Sequence, residues 1–191
     1  AEMRFGYHVD YVPFSTVMTY FEKVEDKAVD ELVEVYFKEY DHAPELEDKN
    51  TVEYKKVWNS AKAELTLRAV LEAYGAKAFT SNFDDLGDVN VEETGKGFDQ
   101  IPGLASQRLM ADGYGFGGEG DWKVSALTAI MKAMGENSNG ASAFMEDYTY
   151  HLAEGQEYSL GAHMLEVCPS LAAGKPRIET HHLGIGMNEK D

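Results

Sequence analysis

The sequence predicts an α/β fold in two parts: a layered α/β domain over residues 1–139, then antiparallel strands of an incomplete β-barrel-type domain over residues 140–191. Three observations favour this division. Apolar residues recur at helical spacing in the first part, with short strand-like runs between the helices. The segment 136–140 has the sequence ENSNG, a composition typical of a loop. Beyond it, two segments alternate between apolar and polar residues, as antiparallel strands do.

The most acidic part of the chain predicts the first long helix. Residues 22–53 hold twelve Asp and Glu against four Lys. Apolar residues recur in this stretch at i, i+3, i+4, i+7, i+8 and i+11, namely Val29, Leu32, Val33, Tyr36, Phe37 and Tyr40. We therefore interpret the acidic residues as the solvated face of an amphipathic helix and favour this over a metal-buffering cluster.

Two further helices are predicted from their end signals. The second covers residues 51–74, where apolar residues form one stripe and Gly75 follows as a stop signal. The third covers residues 103–112, with Pro102 near its start and Gly113 after its end. Their alternation with strand-like segments favours a Rossmann-like layering of this part.

Two strands and a fourth helix complete the first part. Residues 76–83 and 114–118 are predicted strands. Asp121 is a candidate N-cap for a helix that Gly135 ends. The apolar positions of this helix are Leu127, Ile130, Met131 and Met134. Glu119 is thereby placed where a strand is followed by a helix, the edge at which open α/β sheets hold their sites.

The strands of the second part are predicted to form a hairpin. Segments 142–152 and 157–167 have strand periodicity, and AEGQ lies between them at 153–156. A two-residue turn in the middle of AEGQ would place Glu146 directly opposite His163 on one sheet face. Their Cβ atoms would then be roughly 4.5–5.5 Å apart. A longer loop would shift this register.

Glu119, Glu146 and His163 are candidate metal ligands. Two carboxylates and an imidazole suit a divalent cation of the Mn²⁺ type, for which oxygen ligands dominate. Glycines flank Glu119 and would let the backbone approach a ligand closely. The alternative for Glu119 is an ordinary exposed acid beside a helix N-terminus.

Composition and charge exclude several function classes. The net charge of −17 disfavours nucleic acids and anionic membrane surfaces as partners. No apolar run approaches the roughly 20 residues that cross a bilayer, and no signal peptide is recognisable. The single cysteine, Cys168, fits a reducing compartment, and we expect a buried thiol in a cytoplasmic protein.

Five segments carry a resemblance to a known family: IPGLASQRLM at 101–110, GYGFGGEGDWK at 113–123, FMEDYTYH at 144–151, GAHMLEVCPS at 161–170 and HLGIG at 182–186. In their order and spacing they closely resemble L-arabinose isomerases. The resemblance is looser over residues 1–86. It fails over residues 87–99, where this chain carries a longer acidic loop that we predict to be a mobile surface insertion without a direct chemical role.

The resemblance implies a set of site residues. Family members hold Mn²⁺, or another divalent cation such as Co²⁺, with two Glu and two His. Glu119, Glu146 and His163 fall on three of these four ligand positions. Three further residues fall on positions that resemble sugar-contacting residues, and these are Phe83, Tyr148 and Met164.

The function that the resemblance implies is metal-dependent aldose–ketose isomerisation, an intramolecular oxidoreduction in arabinose catabolism. The expected reaction converts L-arabinose into L-ribulose, with D-galactose to D-tagatose as a second conversion. Glu119 and Glu146 would combine metal ligation with enediol-type proton transfer, and a metal-assisted hydride shift is the alternative. The expected partner is a small-molecule sugar, and the full-length parent is expected to be a homo-oligomer.

The same resemblance implies that the chain is an internal piece of a three-domain enzyme. The fourth ligand, a histidine, would then lie beyond Asp191, and we expect the isolated chain to be inactive. The alternative is a non-catalytic folding or assembly fragment with weak or no metal binding. A metallohydrolase is a third possibility, but the sequence lacks a water-activating motif such as His-Glu-x-x-His.

Overall fold

The structure, a computed structural model, describes residues 2–82, 97–98, 100–136, 140–163 and 165–180, and of residues 147–149 it describes the backbone. Six α-helices are found there: α1 Glu2–Phe5, α2 Phe14–Phe21, α3 Asp26–Glu39, α4 Val52–Tyr74, α5 Gly103–Ala111 and α6 Trp122–Gly135. The four strands are β1 Ala78–Phe79, β2 Gly115–Phe116, β3 Glu146–Ala153 and β4 Gln156–Ala162. None of the helices in these ranges combines the length and apolarity that crossing a bilayer requires.

The main core forms where α3 packs on α4. Val29, Val33 and Tyr36 of α3 are buried, whereas the acidic residues between them lie outside, so the predicted amphipathic helix is confirmed. The ends of α4 also follow the prediction. Thr51 Oγ1 accepts the Tyr54 N–H at 3.0 Å, and Gly75 ends the helix with a φ of 63°.

A parallel strand pair confirms the α/β class of the first part. Residues 78 and 79 of β1 pair with residues 115 and 116 of β2, and α6 packs against both strands. Both strands are shorter than the predicted 76–83 and 114–118. Strand β2 is followed by Gly117, where any Cβ would collide with the backbone at the start of α6, and the chain then turns over residues 118–120.

Helix α6 begins at the predicted cap but turns an unexpected face inwards. Asp121 Oδ1 accepts the N–H groups of Lys123 and Val124 at 3.1 and 3.0 Å. The side chains that α6 buries are Ser125 and Thr128. Its large apolar side chains are 49–70% exposed, and these are Leu127, Ile130, Met131 and Met134. Small residues face the strand because the Gly-rich backbone of β2 approaches α6 too closely for large ones.

The second part contains the predicted antiparallel hairpin, but its register changes along the ladder. Ala153 pairs with Gln156 across a two-residue turn, and the predicted pairing continues to Thr149 and Leu160. A bulge between Asp147 and Thr149 then shifts the ladder by one residue. Within the described residues the hairpin does not extend into a closed barrel.

The predicted pairing of Glu146 with His163 is therefore wrong. Glu146 pairs with Ala162, because the bulge leaves one extra residue on β3. Strand β4 ends at Ala162, so His163 lies just beyond the ladder, and the described residues 163 and 165–167 are not the predicted continuation of the strand. The position of His163 consequently depends on the loop that follows β4 rather than on strand parity.

The end of the described chain returns to the first part. Ile178 is buried in the core between α3 and α4, and its N–H donates to Asp41 O at 2.8 Å. Asp41 N–H in turn donates to Pro176 O at 2.8 Å. Cys168 is also buried, as predicted, and packs with Met110 and Phe116. The division after residue 139 stays a prediction.

Candidate active site

Glu119 occupies a strained turn between β2 and α6. Its φ is 56°, the one positive φ of a non-glycine residue in the described parts of the chain. Such a conformation is unfavourable for a glutamate and persists where neighbouring structure enforces it. Here Gly120 follows with a φ of 84°, and Asp121 N–H closes the turn by donating to Gly118 O at 3.0 Å. The turn thereby holds the Glu119 side chain exposed at the end of β2.

Gly118 brings this turn against the second part of the chain. A Cβ on Gly118 would lie 3.0 Å from the ring of Phe144 and 3.7 Å from Nε2 of His163. Any side chain there would have to displace the Phe144 ring. The glycine therefore allows the backbone beside Glu119 to approach His163 directly.

The imidazole of His163 is buried, and its two ring nitrogens have different neighbours. Its side chain is 8% exposed, and its ring meets the ring of Phe144 edge to face, with centroids 4.6 Å apart. Nδ1 lies 3.0 Å from Oε2 of Glu166, and Nε2 lies 4.0 Å from Oε2 of Glu146. Although the bulge removes their pairing in the ladder, His163 and Glu146 still face each other.

Three carboxylates raise the pKa of His163. Burial by itself lowers the pKa of His163, but the hydrogen bond to Glu166 raises it. The negative charges of Glu166, Glu146 and Glu119 raise the pKa further, so that it lies above its ordinary value of 6.5. Glu119 thus acts on His163 electrostatically, and the predicted convergence of its side chain with the other two stays a prediction.

The donor types fit a divalent cation. A cation with bonds of about 2.1 Å places its donors between about 3 Å apart, when adjacent, and about 4.2 Å apart, when opposite. The 4.0 Å between His163 Nε2 and Glu146 Oε2 falls within that range. Over the described ranges, however, no three His, Cys, Asp or Glu side chains stand together closely enough to hold a metal ion.

The predicted sugar contacts lie outside what the structure describes. Phe83 and Met164 are not among the described residues, and the side chain of Tyr148 is not described. Most of the segment 87–99 is outside as well. Phe98 is described, and it is buried against the rings of Phe14 and Phe21, so the prediction of a surface insertion is wrong at that residue.

Glu166 is the site residue that sequence reasoning missed. It is buried, with 5% of its surface exposed, and its carboxylate meets His163. The prediction of a strand over 157–167 puts residues three apart on opposite faces, which separates Glu166 from His163. The signal that could have found it is the spacing of a carboxylate three residues after a histidine in a segment that is otherwise apolar.

Comparisons with known proteins match nearly the whole length of the chain. A family model of the L-arabinose isomerase central domain matches residues 1–137, and one of the L-arabinose isomerase C-terminal domain matches residues 141–191. Curated relatives named L-arabinose isomerase include those of Phocaeicola vulgatus, 56% identical over 189 residues, and Bacteroides thetaiotaomicron, 55% identical over 189 residues. The relative from Geobacillus stearothermophilus is 45% identical over the same length.

Each of these three matches covers 99% of this chain and 36% of the relative, so the chain spans about a third of the length of the proteins it matches. Both family models fall on the segments that contain the described site, one with Glu119 and the other with Glu146 and His163. On these matches, the chain belongs to the L-arabinose isomerase family.

Proposed function

We propose that this chain contributes to the active site of a metal-dependent aldose–ketose isomerase that converts L-arabinose into L-ribulose and D-galactose into D-tagatose. One observation carries the proposal. In a chain of this family, His163 presents Nε2 to the Glu146 carboxylate beside the strained Glu119 turn. A carboxylate that faces an imidazole, with a second carboxylate on the neighbouring turn, supports proton transfer next to a carbonyl.

The two carboxylates suit the proton transfers. Moving a carbonyl from C1 to C2 of a sugar requires a proton to leave C2 and another to arrive at C1. Glu119 is exposed and the side chain of Glu146 is 33% exposed, so both can reach a substrate. His163 is buried and held at Nδ1, which suits a ligand better than a proton carrier. A hydride shift between the same carbons is the competing chemistry.

Glu119, Glu146 and His163 would hold the metal ion, for which we propose Mn²⁺ or Co²⁺. When bound, the cation would polarise the sugar carbonyl and stabilise negative charge on its oxygens. The protein residues supply the remaining chemistry. Phe144 covers one side of His163 and excludes water from that side.

We also propose the sugar contacts, the oligomeric state and the cellular compartment. Phe83, Tyr148 and Met164 are proposed sugar contacts. A neutral sugar suits a chain of net charge −17 better than a polyanion does. The exposed apolar side chains of α6 favour a homo-oligomer, because such a face is usually covered. A buried free thiol at Cys168 is compatible with the cytoplasm.

Ketose formation by the complete natural gene product tests the proposal. We expect turnover of L-arabinose with added Mn²⁺, and a 10²–10⁴-fold lower kcat, as an order of magnitude, for Glu119→Gln and Glu146→Gln. The matched control is Glu154→Gln in the hairpin turn, which changes an exposed glutamate away from the site and should keep full activity. Absence of ketose from the wild-type protein would overturn the proposal.

The second candidate function is a non-catalytic fragment with weak metal binding. It is favoured by the absence, within the described ranges, of three side chains close enough to hold a cation. The isolated 191-residue chain distinguishes the two candidates when Mn²⁺ is titrated calorimetrically into it and into the complete product. We expect weak binding and no turnover from the isolated chain. Turnover equal to that of the complete product would exclude the fragment interpretation.

A further inference from the structure

We propose that Glu166 is the positioning residue of His163. Its carboxylate accepts the Nδ1–H of the imidazole and thereby fixes the tautomer in which the Nε2 lone pair is directed at the Glu146 carboxylate. The inference rests on the proposed function in taking His163 as a metal ligand. The hydrogen bond itself can be tested without any metal.

The shortest contact of Nδ1, the one to the Glu166 carboxylate, favours the tautomer with a proton on Nδ1. Glu166 Oε2 lies 3.0 Å from Nδ1, and the backbone N–H groups of Leu165 and Glu166 are directed at the same nitrogen from 3.4 and 3.3 Å. If Nδ1 accepted those N–H groups, its lone pair would face a carboxylate oxygen at 3.0 Å. A proton on Nδ1 converts this repulsion into a charge-assisted hydrogen bond, which is the stronger interaction. The neutral ring then carries no proton on Nε2.

The hydrogen bond is sheltered from water. The side chains of His163 and Glu166 are 8% and 7% exposed. A buried carboxylate without a donor is strongly unfavourable, so Glu166 keeps its partner. The edge-to-face contact with Phe144 prevents the ring of His163 from turning away. The imidazole is therefore held on one side by a hydrogen bond and on another by an aromatic ring.

The loop that carries Glu166 is anchored independently of His163. The Gln107 side chain of α5 donates a hydrogen bond to Leu165 O. Gly103 at the start of α5 packs on Leu165, since a Cβ there would lie 3.3 Å from the Leu165 Cβ. Cys168 is buried two residues after Glu166. Because the backbone is fixed on both sides of it, Glu166 can orient the ring rather than follow it.

A purely structural role explains this arrangement poorly. Replacing a buried ion pair by apolar residues is often neutral or stabilising, so burial of Glu166 is weak support for a stabilising role. The pair has a clear use at a ligand, because a carboxylate on the far nitrogen of a histidine orients the ring and raises its basicity. Removal of such a partner lowers metal affinity by roughly 10–100-fold.

The test uses the complete gene product with Glu166→Ala, Glu166→Gln and the control Glu157→Gln, which alters an exposed residue of β4. Nitrogen-15 NMR of the metal-free protein, at an alkaline pH where the imidazole is neutral, reports the tautomer of His163. We expect the Nδ1–H form in the wild type, in Glu166→Gln, whose amide oxygen still accepts, and in the control. Glu166→Ala should give a mixture of tautomers.

Calorimetric Mn²⁺ titration provides the second measurement. We expect a roughly 10–100-fold weaker Kd for Glu166→Ala, partial rescue by Glu166→Gln, and an unchanged Kd for the control. If Glu166→Ala does not fold, Glu166→Asp replaces it, because the shorter side chain lengthens the hydrogen bond. Loss of stability with an unchanged tautomer and an unchanged Kd would overturn the proposal. If the wild type forms no ketose but Glu166→Ala still changes the tautomer of His163, the proposed function is refuted and the role of Glu166 stays intact.

Discussion

Glu64 and Glu166 are both buried carboxylates, but their partners differ in kind. Glu64, 1% exposed in α4, accepts from Arg68 Nη2 at 2.8 Å, Arg108 Nε at 2.9 Å and the Tyr36 hydroxyl at 2.7 Å. Glu166 meets a single imidazole at 3.0 Å. The first carboxylate joins three helices through two arginines and a tyrosine hydroxyl. The second is paired with a ring that can be neutral or charged.

The difference separates the Glu64 network from the proposed site. Burial alone lowers the pKa of Arg108, but Glu64, Glu39 and Tyr40 raise it above its ordinary value, so the guanidinium stays charged. Both carboxylate oxygens of Glu64 are paired with arginines in that network. His163, in contrast, uses one nitrogen for Glu166 and directs the other at Glu146. The carboxylate between arginines therefore has its charge compensated within the protein, whereas the one beside the histidine leaves the second ring nitrogen for another partner.

The largest change in the free energy of unfolding should come from Glu64→Ala. The substitution leaves the side chains of Arg68 and Arg108 without their buried counter-charge, and breaking such a pair destabilises by about 3–5 kcal/mol. Urea unfolding of the 191-residue chain measures the loss. Because the network contains none of the proposed metal-ligating residues, the Mn²⁺ affinity of the folded variant should remain within about twofold, a change of under 1 kcal/mol.

The control for this substitution is Glu31→Ala. Glu31 forms an exposed pair with Lys27 at 3.7 Å on α3, so its removal should change the unfolding free energy by less than about 0.5 kcal/mol. Equal losses from the two variants would show that burial does not set the strength of the Glu64 network. If Glu64→Ala, but not Glu31→Ala, weakened metal binding, Glu64 and Glu166 would no longer differ in their effect on the metal.

Tyr36→Phe should have a smaller effect that depends on pH. At neutral pH the variant loses the hydrogen bond to Glu64, a contribution of about 1–2 kcal/mol. Burial and then the charge of Glu64 raise the pKa of Tyr36 well above its ordinary value of 10.0. The folded state therefore binds this proton more tightly than the unfolded state does. The resulting stability is complete below pH 10 and is lost as the pH rises above it.

Alkaline unfolding curves check this sign. The wild type should lose stability more steeply than Tyr36→Phe between pH 10 and pH 11, over which the unfolded tyrosine ionises. Tyr11→Phe is the matched control, because Tyr11 is 82% exposed and should change neither the stability nor the slope. Parallel curves for the wild type and Tyr36→Phe would contradict the raised pKa.

The helices of this chain could be predicted because their signals are local. Thr51, Gly75 and Asp121 act within one turn of their own positions, and the structure places all three at helix ends. The hairpin turn is equally local, with Gly155 at a φ of 74°. The sequence could not reveal the bulge near residue 148, because a single extra residue leaves the alternation on either side intact.

The rest of the candidate site depends on contacts between distant segments. Strand parity separated Glu166 from His163, whereas the actual loop brings them together because Gln107 of α5 holds it. The apolar pattern of α6 identified the helix but not its buried face, which the close backbone of β2 decides. The positive φ of Glu119 is likewise a consequence of packing around the turn and has no local signal besides its glycine neighbours.

The smallest expected effect on the free energy of unfolding is a stabilisation, and it concerns Glu119. Its left-handed conformation is unfavourable by about 1–2 kcal/mol for a residue with a Cβ, but not for glycine. Glu119→Gly and Glu119→Ala both remove the carboxylate, so both should abolish ketose formation in the complete gene product. They differ in the strain that remains. Urea unfolding of the 191-residue chain should find the glycine variant more stable than the alanine variant by about 0.5–1 kcal/mol, after the larger entropy of unfolded glycine is subtracted.

Comparing the two variants tests whether the glutamate at position 119 lowers stability while being needed for activity. If the glycine variant is the more stable and both are inactive, the glutamate is retained in a conformation that only its function justifies. Equal stabilities would mean that the turn relaxes around either residue and stores no strain. Activity retained by the alanine variant would remove Glu119 from the site, leaving Glu146 to account for the proton transfers.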